Sequence, residues 1–203
     1  MALVHSVNGV ILDYGGVLVH HQTDEDQGRM AERAGLDKNL FTELYWSNRL
    51  EYDKDQISCD EYWESLAQSA GTTFDEKTIE ELVELDTLSW MQFDEVMWDW
   101  IAQLRSAGKR VAMLSNMPRE LGEALKARTQ RLSSFDHVTL SYEVRSAKPE
   151  PAIYERCLEG LGVPGEEALF LDDRIANVQG AELFGMRAVQ FTSRDDTLLL
   201  LST

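Results

Sequence analysis

From about residue 88 onward, helical stretches alternate with short apolar runs, and that rhythm narrows the possible folds more than any other feature of the chain. Met97, Trp100, Ile101 and Leu104 mark one apolar helical face, closed by Gly108. Residues 110–114 then read as a strand ending at Ser115-Asn116, and Pro118 starts the next helix at its first position. Residues 138–140 read as another strand, and a helix begins near Pro151. Residues 168–171 form a buried strand ending in Asp172-Asp173. A further helix ends near Gly185, before a last strand over 187–191. Near the N-terminus, residues 7–12 are a buried strand cut off by Asp13-Tyr14-Gly15-Gly16.

Such alternation predicts an α/β fold: a Rossmann-like parallel sheet with helices on both faces. Residues 23–87 break the rhythm. Ser58 and Glu61 make a capping box, and Leu40, Phe41, Leu44, Tyr45 and later Ile79, Leu82, Val83 recur at helical spacing. We therefore divide the chain into a core of residues 1–18 and 88–203 and a small inserted helical cap of residues 19–87. The insert's aromatics (Tyr45, Trp46, Tyr52, Tyr62, Trp63) read as bundle core.

The net charge of −17 restricts partners. Residues 22–87 hold 18 acidic against 6 basic side chains, read as a solvated helical face. That field repels nucleic acid and anionic membrane. Cys59 and Cys157 match no zinc or redox spacing and read as idle thiols in a reducing compartment. No apolar run approaches the ~18 residues of a membrane span, and the tail at 198–201 is too short. The expectation is a cytoplasmic protein. Oligomeric state has no signature here. Residues 160–165 fit a dinucleotide-binding glycine spacing, but they follow a helix and precede a strand, so they read as a turn.

In an open parallel sheet, ligands bind beyond the carboxyl ends of the strands. Three strands end there in polar groups: Asp13, Ser115-Asn116 and Asp172-Asp173. Lys148 adds a cation. Carboxylates crowded together repel, and a divalent cation relieves this; hard oxygen donors suit Mg²⁺. Such a cation and Lys148 would neutralise a phosphoryl group, Ser115 and Asn116 would donate to its oxygens, and Asp13 is a competent nucleophile. Tyr14, Gly15 and Gly16 form the loop around that phosphate, the glycines allowing backbone N–H groups to come close.

The segments carrying these groups resemble the four motifs of the haloacid dehalogenase superfamily, in order. Residues 10–18, with Asp13, resemble the first. Residues 113–116 resemble the second, Lys148-Pro149 with Ile153-Tyr154 the third, and residues 169–173 with Asn177 the fourth. The insert is similar to the helical cap of the branch that includes phosphoglycolate phosphatase. The chain also resembles the sugar-phosphate phosphatases and the N-terminal phosphatase domain of soluble epoxide hydrolase. The resemblance implies a Mg²⁺-dependent phosphatase acting on a small phosphorylated metabolite, a sugar phosphate among the candidates, through an aspartyl-phosphate. Asp13 would be nucleophile and metal ligand, the Gly15 carbonyl and Asp173 further ligands, and Lys148 the catalytic cation. Asp172 would hold Lys148 or a metal-bound water, with Asn177 behind it.

One position departs from the pattern. These phosphatases usually carry a second Asp, the general acid and base, where this chain has Gly15. Losing such a group forfeits ~10²–10⁴ in rate, less for good leaving groups. Tyr14, His20 and His21 are the nearby side chains that could substitute, although the histidines otherwise read as surface residues. Two alternatives stay open: a 2-haloacid dehalogenase, and a phosphometabolite-binding or partner-binding protein without turnover.

Overall fold

The computed structural model describes residues 3–202; Met1, Ala2 and Thr203, at the ends of the expected core, lie outside them. Five strands, β1 (Gly9–Leu12), β2 (Arg110–Ser115), β3 (His137–Leu140), β4 (Ala168–Asp172) and β5 (Arg187–Gln190), form one parallel sheet ordered β3-β2-β1-β4-β5. The strands are short and apolar because both faces are covered, so each face claims alternate residues. On one face Val10, Leu12, Val111, Met113, Leu169 and Leu171 pack with α6 (Glu95–Ser106) and α7 (Arg119–Arg128). On the other, Ile11, Ala112, Leu114 and Phe170 pack with α9 (Pro151–Leu161) and α10 (Ile175–Glu182). Tyr142 of a short helix α8 (Ser141–Val144) and Leu198 of a terminal helix α11 (Arg194–Ser202) pack with the first of these faces. Among the described residues no helix is long and apolar enough to cross a membrane.

Register sets the site. Leu12 pairs with Met113 on one side and Leu171 on the other, so the chain leaves all three central strands at nearly one level. Asp13 N–H then donates to the Leu171 carbonyl at 2.9 Å, tying the nucleophile position to β4.

The inserted helices are α1 (Asp24–Ala34), α2 (Lys38–Ser47), α3 (Arg49–Asp53), α4 (Cys59–Ser69) and α5 (Glu76–Ser89). Thr23 with Asp26, and Ser58 with Glu61, close reciprocal capping boxes, while Asp37 and Asp75 cap α2 and α5. The insert has its own core of Met30, Phe41, Tyr45, Tyr52, Tyr62, Trp63, Leu66 and Leu82. Its two connections run side by side: His20 N–H donates to the Gln92 carbonyl (2.9 Å) and Asp94 N–H to the Leu18 carbonyl (3.0 Å).

Several local expectations shift. Pro118 is the N-cap of α7 rather than its first residue. Trp98 is buried beside the expected face of α6, its indole N–H donating to the Leu18 carbonyl at 3.0 Å, while Trp100 packs partly buried against the same core. Trp46 is 48% exposed, unlike the other four insert aromatics. The acidic insert is not wholly a solvated face either, since Asp26, Asp53, Asp86 and Arg49 are buried. Cys157 is buried and Cys59 half-buried, both free thiols.

Candidate active site

The strand ends bring Asp13, Lys148, Asp172 and Asp173 together. Lys148 Nζ lies 2.7 Å from Asp13 Oδ1 and 2.7 Å from Asp172 Oδ2, and it donates to the Leu114 carbonyl at 2.9 Å. Its three ammonium donors thus have three acceptors, which is how a lysine can be buried while charged. The Tyr14 backbone N–H donates to Asp13 Oδ1 at 2.6 Å. Asp172 accepts from the Arg174 N–H (2.8 Å) and from Asn177 Nδ2 (3.0 and 3.1 Å). Asn177 is itself placed by the Tyr154 hydroxyl, which donates to its carbonyl at 2.8 Å.

Electrostatics follow from this geometry. Burial pushes the Asp13 carboxyl well above the usual range; Lys148 pulls it back and the charges of Asp172 and Asp173 push it up again. Burial would raise Asp172 too, but Lys148 and its hydrogen bonds overcome that and hold it low. For Lys148, the two carboxylates outweigh the opposing effect of burial and raise it. Asp173 is raised by burial and then by Asp172. Carboxylate oxygens of Asp13, Asp172 and Asp173 lie within 4.8 Å of one another. Three carboxylates against one ammonium leave the cluster short of positive charge. An all-oxygen donor set with that deficit fits a hard dication such as Mg²⁺.

Other expected residues take different places. Ser115 is buried at the end of β2, with its hydroxyl 3.4 Å from the Asn116 carbonyl, a weak tie. Asn116 corrects one expectation: its side chain clamps the Lys148 backbone, donating to the carbonyl (3.0 Å) and accepting from the N–H (2.8 Å). That amide therefore positions Lys148. Tyr14 corrects another: its ring packs into the sheet core and its hydroxyl donates to the Trp90 carbonyl at 2.6 Å, so only its backbone joins the loop. Gly16 has φ +72°, and a Cβ there would meet His21 Nε2 at 2.5 Å. His21 Nε2 is in turn 3.4 Å from Asp173 Oδ2.

Trp90 escaped the sequence reading. A Cβ on Gly15 would meet its indole Cζ3 at 3.2 Å, so the ring stands over the residue two places after Asp13. No motif marks Trp90; its only signal is an aromatic in the segment returning from the insert.

A model of the haloacid dehalogenase-like hydrolases matches residues 7–185. The drimenol cyclase of Aspergillus calidoustus is 26% identical over 94% of this chain, which spans only 35% of that protein. The D-ribitol-5-phosphate phosphatase of Bacteroides thetaiotaomicron is 24% identical, covering 91% of each. Among solved structures, L-2-haloacid dehalogenase from Xanthobacter autotrophicus superposes with a TM-score of 0.71 at 23% identity, over 93% of this chain and 80% of that one.

Proposed function

Because the chain belongs to the haloacid dehalogenase-like hydrolases, we propose that it hydrolyses a small phosphate monoester with Mg²⁺, carrying the phosphoryl group on Asp13. The observation that carries this reading is Lys148 held 2.7 Å from both Asp13 and Asp172, inside a carboxylate cluster that calls for a dication. The 2-haloacid dehalogenase alternative needs no such cluster, since it attacks carbon without a metal. A relative that is a polyol-phosphate phosphatase also supports the reading.

Asp13, the Gly15 carbonyl and Asp173 would hold Mg²⁺, which when bound supplies charge that stabilises the phosphoryl oxygens. Asp13 forms a bond to phosphorus while the ester P–O bond breaks and its electron pair leaves on the departing oxygen, which takes a proton from solvent. Water then attacks phosphorus and the acyl-phosphate P–O bond breaks, regenerating Asp13 and releasing inorganic phosphate. Lys148 neutralises the charge that builds on Asp13 and the phosphoryl group. Backbone N–H groups from Gly15 to Gly16 and after Ser115 face the phosphate oxygens. Asp172 and Asn177 hold Lys148 in place from behind, as Asn116 does through its backbone. Residues 19–87 act as a cap over the core of 1–18 and 88–203, and the substrate lies between them. A sugar phosphate with a good leaving group is one candidate, because Gly15 supplies no acid.

The test is phosphate release from a panel of small esters, with Mg²⁺ and with chelator, for the wild type and Asp13→Asn. Magnesium-dependent release that disappears in a folded Asp13→Asn protein is expected. Equal rates in the variant would remove Asp13 as nucleophile. Chloride release from 2-chloropropionate, indifferent to chelator, would make the protein a dehalogenase instead.

A further inference from the structure

Resting on the phosphatase reading above, we infer that Trp46 and Trp90 form an aromatic wall that selects aryl phosphates, esters whose departing group is an aromatic alcohol. The wall begins at the nucleophile loop. Trp90 Cζ3, Cε3 and Ch2 lie 3.2, 3.8 and 3.9 Å from where a Gly15 Cβ would be, so the indole crowds the point from which any side chain would start there. Its position is held at both ends: its carbonyl accepts from the Tyr14 hydroxyl (2.6 Å), and its indole N–H donates to the Tyr45 hydroxyl (3.3 Å).

Trp46 continues the surface outward. Its ring meets Trp90 edge to face, centroids 6.5 Å apart at 82°, and it is 48% exposed. Tyr45, Tyr52, Tyr62 and Trp63, its neighbours in sequence or in the insert core, are each at most 3% exposed. One open tryptophan on an otherwise closed aromatic cluster, continuous with the nucleophile loop, is a surface for a ring to lie on.

Polar groups behind the wall are bonded to each other. The Tyr45 hydroxyl donates to Asp86 (2.6 Å) and accepts from Arg49 (2.6 Å); Gln22 donates to Ser89 (2.8 Å); Arg49 also pairs with Asp86 (2.8 Å) and Asp53 (2.9 Å). A polyol lying here would bury hydroxyls against carbon, an arrangement that disfavours it.

Chemistry points the same way. With no acid at Gly15 and an indole crowding it, the departing oxygen leaves as an anion. A phenol such as the tyrosine side chain ionises near ~10, against ~15.7 for water, which alcohols resemble. An aryl oxide therefore tolerates the missing proton donor far better than an alkoxide does.

The experiment compares kcat/KM, with Mg²⁺, for 1-naphthyl phosphate, acetyl phosphate and ribitol 5-phosphate, in the wild type, Asp13→Asn, Trp46→Ala and Trp46→Phe. Acetyl phosphate has a good leaving group but no ring, so it separates leaving-group quality from stacking. The wild type is expected to prefer naphthyl phosphate to both. Trp46→Ala should lower the naphthyl-to-acetyl ratio about tenfold, mainly through KM, and Trp46→Phe should restore most of it. A ratio unchanged in Trp46→Ala, or a wild-type preference for ribitol phosphate, overturns the wall while leaving the phosphatase reading intact. Asp13-independent release, or none from any ester, overturns both.

Discussion

Gly15→Asp restores the carboxylate usually found at this position in the family's phosphatases, yet the structure predicts that it does not restore the chemistry by itself. The new Cβ would sit 3.2 Å from Trp90 Cζ3, before any carboxyl group is placed. The indole has to give by a few tenths of an ångström, which strains its 3.3 Å bond to the Tyr45 hydroxyl and its edge contact with Trp46. Overpacking of this kind costs about 1–3 kcal/mol, and about 2–4 °C of Tm accompanies each kcal/mol at this chain length, so a fall of about 2–12 °C is expected. A positioned general acid contributes ~10²–10⁴ only when it reaches the departing oxygen. The single variant should therefore gain less than about tenfold on an alkyl phosphate such as ribitol 5-phosphate. With Trp90→Ala as background, the space opens, and adding Gly15→Asp should raise that rate by ~10² while changing the aryl phosphate rate less. The assay is steady-state phosphate release beside thermal melts of the four proteins. Full gain in the single variant, with a wild-type Tm, would refute the claim that Trp90 excludes an acid here.

Lys148→Met leaves Asp13 and Asp172 buried without their cation, and should cost about 3–5 kcal/mol in urea melts with chelator, less with Mg²⁺ present; a melt unchanged in both conditions would mean the lysine is not charged in the fold. Arg49→Met removes the partner of Asp53 and Asp86 and the cation lying 4.8 Å from the Tyr45 ring centre, and a loss of about 3–5 kcal/mol is expected by the same measurement. His137 is held below its ordinary value by burial and then by the charges of Arg156 and Arg110. The folded chain thus prefers the neutral ring, so stability falls as pH drops below ~6.5, through the unfolded value toward the lower folded one. An NMR titration of His137 should give a midpoint below that of a free histidine, and His137→Phe should flatten the slope of stability against pH.

How much of this was legible in the sequence divides along a physical line. Parallel strands leave a sheet at one edge, and their register follows from which residues are apolar. Asp13, Ser115, Lys148 and Asp172 could therefore be placed near each other from pattern alone, and the structure puts Asp13, Lys148 and Asp172 in direct contact. What the pattern does not encode is which way a polar side chain turns once it arrives. Asn116 looks like a phosphate donor in sequence, but its amide matches the Lys148 peptide group, donor to acceptor and acceptor to donor, and that pairing captures it. Arg49 was hidden for a related reason. Periodicity assigns charges to the solvated side of a helix, whereas Asp53, Asp86 and Tyr45 together satisfy a guanidinium inside. Trp90 lies furthest from sequence reasoning, because its contact with Gly15 depends on the pairing of the segments around His20 and Gln92 and on its bonds to Tyr14 and Tyr45. Gly15, read along the chain, is an acid that has gone missing. With the returning segment laid beside it, the same glycine is the residue that makes room for an indole, and the open question changes from what replaces the proton donor to which departing group needs none.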